Sequence, residues 1–480
     1  MNIKININYI YIAIFALFFF FWGVNVSLIR DFPFVGFIYE TFVDFDYDTR
    51  DFLTKDLIKP SVSFRLSYLI ILLMIPVLYS FIKDKALSFK KIFNYQQYIM
   101  FFTLFVVAHY FLVKLFYNEI IDKSEIANLL YLISLSVIYC HYREFILVNF
   151  KKIVIFYLLI FVFFSIVETG KNYNLGQCNN NIFIIELIYK YLQIDLTNSI
   201  YLENAHLGMM SVAVFFSTLY ILIKEKKYNI VLLLLFSVEI IIVLNNLSTT
   251  YFIGYFFSQL TLLLFFVKRI NVKFWIISVI FLLLNSYIFL VDTDCTKKIT
   301  DFQIEDIRHN NLMKNDTNLT TLIYQRSIIV AKDTLINHSF GWGIDGMDDA
   351  NLSLLESYNE RAKTGADDRS SQQQTDNNDR VTKRNDEGFY WQLKMLNLKD
   401  GLSNLLKLFT EFGIFAFIIY FYFLKYILNI KNINSYNLFI IVLFITLSIR
   451  AAGYFSGGFI FCLLEFFYRE KFTTETKIKN

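Results

Sequence analysis

Long apolar runs separated by short polar stretches constrain this chain more than any other sequence feature. We count about twelve runs of roughly 16–22 residues, close to the ~20 that cross a bilayer core as a helix. Backbone polar groups in hydrocarbon must pair internally, and the runs lack the alternation of barrel strands, so they predict transmembrane helices. The predicted spans lie near 9–29, 65–82, 97–116, 126–142, 153–168, 206–223, 229–246, 251–267, 274–291, 403–424, 435–449 and 454–468.

The composition excludes an ordinary soluble domain. Hydrophobic residues make up 56% of the chain and charged residues only 18%, whereas a soluble protein of this size needs more polar surface to cover its core. No basic patch interleaved with aromatic residues indicates a nucleic-acid partner, and no Cys/His cluster has the spacing of a metal site. The sequence therefore predicts an all-α polytopic membrane protein whose surroundings are the lipid bilayer.

Basic clusters follow the even-numbered spans. Cytoplasmic connections retain Lys and Arg, so this asymmetry predicts the orientation of a multi-pass protein. Both termini are expected in the cytoplasm, and the connections after odd-numbered spans are expected outside. The basic residues are Lys83, Lys85, Lys90, Lys91, Arg143, Lys151, Lys152, Lys224, Lys226, Lys227, Lys268, Arg269, Lys273, Lys425, Lys431, Arg469, Lys471, Lys477 and Lys479.

One outward connection is far longer than the others and divides the chain into three parts. Spans 1–9 occupy residues 1–291, the large periplasmic loop occupies 292–402, and spans 10–12 with a cytoplasmic tail occupy 403–480. Within the loop, the polar tract 361–388 has almost no large apolar residues, which predicts a mobile segment because burial cannot offset its ordering entropy. Residues 318–337 carry apolar side chains at helical spacing, which predicts an amphipathic helix at the membrane surface.

Two cysteines fall in outward loops. Cys178 and Cys295 lie in connections expected to face an oxidising compartment, where a disulfide between the two loops can form. The sequence does not give their separation. A Cys178–Cys295 disulfide and two free thiols therefore both remain open.

The segment from Arg326 to Gly346 combines a helix bearing an arginine with a glycine-rich turn that contains Gly341, Trp342, Gly343 and Asp345. Glycine permits a backbone to come close to an anionic or sugar ligand, and a guanidinium is a planar fork suited to phosphate. The alternative is a surface helix with a snorkelling arginine and a glycine C-cap. Spacing alone favours this alternative.

This segment resembles the large loop of the Wzy-type O-antigen polymerases and the related O-antigen ligases. The stretch from Asp400 to Ala416, with Glu411 and Gly413 as Glu-x-Gly, is similar to the family segment after that loop. Residues 203–206 and 450–454 are two shorter similarities. The ligases carry a histidine at the start of the post-loop motif, where residues 401–404 have none, so polymerase is favoured over ligase. Fourteen residues separate Arg326 from Gly341, a longer spacing than in some polymerases.

The resemblance implies a GT-C-like architecture in the bacterial inner membrane and polymerisation of undecaprenyl-diphosphate-linked oligosaccharide repeat units into O-antigen or a related surface polysaccharide. It implies that fixed cations stabilise the departing diphosphate and that a general base activates the acceptor hydroxyl. It implies no cofactor and no metal, and it leaves a polysaccharide chain-length regulator open as a partner. The cation candidates are Arg326 and Arg450, the base candidates are His338, His206 and Glu203, and the substrate-binding candidates are Gly341, Trp342, Gly343, Asp345, Asp400 and Thr249.

Two other functions are weighed against the polymerase: a lipid-linked oligosaccharide flippase and an envelope assembly factor. A lipid-linked oligosaccharide flippase would show two pseudo-symmetric halves with broken helices, and we see no such internal repeat. An envelope assembly factor could use the large loop to bind a protein.

Glu239 lies within the seventh span, where a carboxylate is costly. The favoured interpretation is a protonated acid bonded to a neighbouring helix.

Overall fold

The computed structural model describes residues 7–20, 25–29, 61–84, 97–117, 123–168, 204–225, 230–245, 249–291, 319–344, 346–355, 403–449 and 458–468. Helix dominates these ranges. Before the large loop the helices are α1 Ile7–Phe20, α2 Met74–Asp84, α3 Gln97–Tyr117, α4 Lys123–Glu168, α5 Asn204–Glu225, α6 Ile230–Asn245, α7 Thr249–Phe266 and α8 Val272–Val291. From the loop onward they are α9 Leu319–Asn337, α10 Asn404–Phe412, α11 Ala416–Asn429, α12 Ser435–Ile449 and α13 Gly458–Phe467.

Four of the described helices are long and apolar enough to cross a membrane: Gln97–Tyr117, Glu125–Val162, Gly208–Glu225 and Asn404–Asn429. The last of these runs from α10 through a 3₁₀ turn, Gly413–Phe415, into α11. Shorter apolar helices accompany them. Large apolar side chains such as Leu115, Phe116 and Val148 are exposed on the outer surface, as suits a helix in contact with lipid. The fold is thus that of a mainly helical protein compatible with a membrane.

The first predicted span, 9–29, is wrong at its end, over residues 25–29. α1 ends at Phe20, and strand β1, Asn25–Ile29, pairs antiparallel with β2, Ser61–Arg65. A 3₁₀ helix, Leu66–Leu73, then leads into α2. The physical reason is visible in the residues, because 25–28 and 61–64 alternate polar and apolar side chains, the period of a strand. This pair is the exception to the all-α prediction among the described residues.

The fourth and fifth predicted spans form one helix rather than two. α4 runs without interruption over 46 residues, about 70 Å at 1.5 Å per residue and thus about twice a bilayer core. The charged residues of 143–152 were expected to end a span. The segment contains neither glycine nor proline, so nothing in it breaks a helix, and Arg143 is buried in a tertiary ion pair.

The described helices define two ends of the bundle. At the first, which we call the basic end, Lys151 pairs with Glu225 and Arg269 donates to the carbonyl oxygen of Ile430. Exposed basic residues follow at Lys152, Lys224, Lys268, Lys273, Lys425 and Lys431. At the second, the loop end, Tyr324 donates to the carbonyl oxygen of Ile449 and Ser403 donates to that of Ser448 at 2.6 Å. Segments predicted to leave even-numbered spans therefore meet at one end.

Candidate functional site

Two segments that the sequence singled out separately meet at the loop end. The main-chain nitrogens of Trp342 and Gly343 donate to the carbonyl oxygens of Thr410 and Glu411 at 3.0 and 2.9 Å. The nitrogen of Ile414 donates back to the carbonyl oxygen of Ser339 at 2.9 Å. The glycine-rich turn, residues 338–343, is therefore held by main-chain hydrogen bonds to the end of α10. We call this contact the loop junction.

Glycines make the loop junction sterically possible. Gly341, Gly343 and Gly413 have φ of 82°, 81° and 54°, a region that other residues enter only at a cost. A Cβ on Gly341 would overlap the carbonyl oxygen of Glu411, and one on Gly413 would overlap that of Ser339. A Cβ on Gly343 would instead meet Val113 at 3.4 Å, an ordinary contact. The two backbones thus approach at Gly341 and Gly413 as only glycine allows.

An aromatic stack positions His338. The Tyr117 ring stacks on Trp342 at 5.1 Å between centroids, and the His338 ring lies 4.4 Å from Trp342. Nδ1 of His338 and the Tyr117 hydroxyl are 3.1 Å apart. Trp342 is buried, whereas His338 is half-buried. The imidazole is therefore oriented at the loop end while remaining partly accessible.

Arg326 is buried among the described helices. Helix α9 matches the predicted helix 318–337, and its buried face consists of Arg326, Ser327, Val330, Ala331 and Thr334. The guanidinium Nε donates to Oδ1 of Asn351 at 2.8 Å, and Arg326 is only 5% exposed. The snorkelling alternative is wrong, because this helix packs on α10 and on helical residues 347–355.

A buried polar stripe runs along α10. Asn404, Lys407 and Glu411 follow at spacings of three and four, so they share one helix face, and all three are buried. Lys407 Nζ and Glu411 Oε1 are 3.6 Å apart. The Ser403 hydroxyl caps the helix by accepting from the nitrogen of Leu406 at 3.4 Å. Glu411 was predicted only as part of a motif, and Lys407 was not predicted, although a lysine four residues from a glutamate in an apolar helix is visible in the sequence.

A second buried pair lies on the other side of the loop junction. Lys114 Nζ is 3.2 Å from Glu125 Oε1, and the Tyr110 hydroxyl donates to Glu125 Oε2 at 2.6 Å. Nearby on α3, Nε2 of His109 lies 2.7 Å from the carbonyl oxygen of Phe340. Because a carbonyl can only accept, His109 carries a hydrogen on Nε2. These residues were not predicted from the sequence, although a histidine and a lysine are visible inside an apolar run.

Several predicted site residues cannot be placed. Glu203, Asp345, Asp400 and Arg450 lie outside the described residues, as do Cys178, Cys295 and the tract 361–388. His206 falls in the first turn of α5 and Thr249 begins α7, with only their backbone described. From the predicted set, the structure brings together His338, Gly341, Trp342 and Gly343 at the loop junction. Arg326 lies on α9, about 18 Å before His338 along the helix axis at 1.5 Å per residue.

The described part of the chain contains no group of three or more His, Cys, Asp or Glu residues placed to hold a metal ion. Comparison with known proteins gives no relative: no family model, no curated protein and no solved structure matches the chain.

Proposed function

We propose that the chain polymerises lipid-diphosphate-linked oligosaccharide repeat units into a bacterial surface polysaccharide by glycosyl transfer at the outer face of the inner membrane. The observation that carries the proposal is the loop junction. The two segments whose residues resemble O-antigen polymerase motifs are far apart in the sequence, yet Gly343 and Glu411 are joined by a main-chain hydrogen bond. Arg326 lies on a helix packed against α10.

The distribution of charge supports the outward placement of the loop junction. Exposed lysines and Arg269 gather at the basic end, and cytoplasmic faces retain such residues. The loop junction lies at the opposite end, where Ser403 and Tyr324 contact the last residues of α12. Assigning the basic end to the cytoplasm therefore places residues 292–402 outside, where the carrier-linked sugars are presented. Both termini are then cytoplasmic.

The proposed reaction transfers the growing glycan from its carrier to the next repeat unit. The bond between the anomeric carbon and the diphosphate oxygen breaks, and a bond to the acceptor hydroxyl oxygen forms. The departing diphosphate keeps the electron pair and gathers negative charge, which a fixed guanidinium stabilises. Arg326 is our candidate for this role, since Asn351 fixes its Nε, and Arg450 is the second. The hydroxyl proton passes to a general base, for which His338 is our described candidate, since it is half-buried and oriented by Tyr117.

The test is deletion of the gene followed by complementation, with surface polysaccharide length resolved on a gel. Deletion is expected to leave a single capped repeat unit, and Arg326→Ala is expected to behave like the deletion at normal protein level. Lys332→Ala is the matched control, because Lys332 is exposed on the same helix; it should restore a full ladder. A full ladder from Arg326→Ala would remove Arg326 from the mechanism. Loss of all surface glycan, including the single unit, would indicate a flippase or a ligase.

A further inference from the structure

Buried polar side chains gather on three helices that contribute no described side chain to the loop junction. Glu239 on α6, Tyr251 on α7 and Asn285 on α8 are 2%, 1% and 0% exposed. The Tyr251 side chain lies beside Asn285 and within electrostatic reach of Glu239. Three helices thus direct a carboxyl, a phenol and a carboxamide toward one interior region.

The carboxyl group of Glu239 is not satisfied within the described part of the chain. Neither of its oxygens has a hydrogen-bond partner among the described residues, whereas the side chains of Tyr251 and Asn285 lie against each other. The bond to a neighbouring helix that the sequence favoured for Glu239 is therefore not made within the described part of the chain. Buried polar groups in proteins are almost always paired, and orphaned ones indicate an unseen water or ion.

Aromatic rings pack on one side of the cluster. One helical turn from the cluster, each of the three helices carries an aromatic residue on the same face. These residues are Phe236 on α6, Tyr255 on α7 and Phe281 on α8. These rings meet around Phe215, which lies 5.5 Å from Phe236 and 4.2 Å from Phe281 between centroids. The Tyr255 hydroxyl is engaged with the carbonyl oxygen of Ser278 at 2.8 Å. This side of the cluster is therefore largely apolar and of low dielectric.

No described cation neutralises Glu239. From α7 the titratable side chain facing it is Tyr251, and α8 presents the uncharged Asn285. Helix α5 contributes the hydroxyls of Ser211 and Thr218 to the buried surface. Helix α4 also packs on α6, but its Arg143 pairs with Glu465 and its Lys151 with Glu225. An ionised carboxylate at this place would pay a large desolvation cost.

We propose that Glu239, Tyr251 and Asn285 form an intramembrane binding site for a small monovalent cation, a proton or a sodium ion. The carboxyl oxygens of Glu239, the hydroxyl of Tyr251 and the amide oxygen of Asn285 are the ligands. The bound charge neutralises Glu239 and gives its two carboxyl oxygens a partner. The site does not depend on the proposed glycosyl transfer.

The first test measures the thermal midpoint of the purified full-length chain in detergent at pH 6 and pH 9, in sodium chloride or choline chloride. The folded chain holds a cation that the unfolded chain releases, so stability falls as pH rises in choline. We expect a drop of roughly 2–4 °C. Sodium chloride reverses the drop if the occupant is sodium and leaves it unchanged if the occupant is a proton.

Two variants control this measurement. Glu239→Gln carries a neutral isostere and should show a smaller pH drop than the natural chain and no sodium response. Glu225→Gln alters a solvent-exposed carboxylate and should respond like the natural chain. Identical responses from the natural chain and Glu239→Gln would overturn the proposal.

A second measurement keeps the proposal testable if Glu239→Gln does not fold. An apolar carbodiimide adds to a neutral carboxylic acid to give an acylurea, with no other reactant consumed, and the adduct is located by peptide mass. Glu239 of the natural chain should be modified at pH 6 in choline chloride. High pH protects it if the occupant is a proton, and sodium chloride protects it if the occupant is sodium. Absence of the adduct in choline at every pH would overturn the proposal.

Discussion

The main-chain nitrogen of Gly343 donates a 2.9 Å hydrogen bond to the carbonyl oxygen of Glu411. This bond joins the glycine-rich turn of the large loop to the end of α10, a helix that continues through Gly413 into α11. The loop is thereby fixed to the bundle close to the buried Lys407–Glu411 pair. The candidate site depends on this geometry, so changes to the glycines test it directly.

Substitution of the three glycines should have graded effects. Gly341→Ala and Gly413→Ala place a Cβ against a main-chain oxygen and should separate the two segments, abolishing the polysaccharide ladder. Gly343→Ala meets no such obstacle and should cost only the positive-φ strain, about 1–2 kcal/mol. Thermal midpoints and gel ladders of the three variants check the order. Equal effects at all three positions would mean that close backbone approach is not what these glycines provide.

Asn351 should act through Arg326. Its Oδ1 accepts from the guanidinium Nε at 2.8 Å, so Asn351→Ala leaves the charge in place but loosens its orientation. We expect a polymerisation rate lowered by about tenfold, from the loss of one hydrogen bond to a charged group worth about 1.5 kcal/mol. Asn351→Asp should lower the rate further, because a carboxylate competes with the substrate diphosphate for Arg326. Initial rates on lipid-linked repeat units measure both variants. If Asn351→Asp polymerised faster than Asn351→Ala, this competition would be excluded.

Variants of His338 and Tyr117 should distinguish a catalytic role of the imidazole from a role in packing. If His338 is the general base, His338→Ala lowers the rate by about 10²–10⁴. Tyr117→Phe keeps the ring stacked on Trp342 and removes only the hydroxyl beside His338, so its effect should be about tenfold or less. The same rate assay at equal protein level compares them. An unchanged rate in His338→Ala would assign the base to another residue.

The buried pair Arg143–Glu465 should matter far more to stability than the surface pair Lys151–Glu225. Arg143 donates to Glu465 through Nε at 3.0 Å and through Nη2 at 2.7 Å. Glu465→Ala leaves a buried guanidinium uncompensated, at a cost of about 3–5 kcal/mol. Glu225→Ala breaks a pair whose side chains are more than one-third exposed and should cost about 1 kcal/mol or less. Denaturation of both variants in detergent compares them, and equal losses would contradict the burial argument.

The apolar runs predicted most helices well, because hydrophobicity over about twenty residues is a local signal. α3, α5, α8 and α12 begin and end within two residues of their predicted spans. The prediction for α4 was wrong because Arg143 was taken as the end of a span. In the folded chain Arg143 is paired with Glu465 on α13, so the helix continues through it. That contact is tertiary, and no local pattern contains it.

The candidate site was predictable in its parts but not in its assembly. Gly341 and Gly343 were visible as a turn, and Glu411 and Gly413 as a motif. Their contact depends on the close approach of two backbones, which only the folded chain reveals. His109 and Lys407 were missed because each was read as part of an apolar run, although a buried ionisable residue there indicates function.

The most direct test of the account is the side of the membrane on which the loop lies. Alkaline phosphatase inserted between Ser370 and Ser371 of the otherwise complete chain is active only outside the cytoplasm, and green fluorescent protein fused after Asn480 fluoresces only inside it. We expect an active phosphatase and a fluorescent C-terminus in the same cells. An inactive phosphatase in a chain present at normal level would place the loop junction in the cytoplasm and contradict the proposed polymerase.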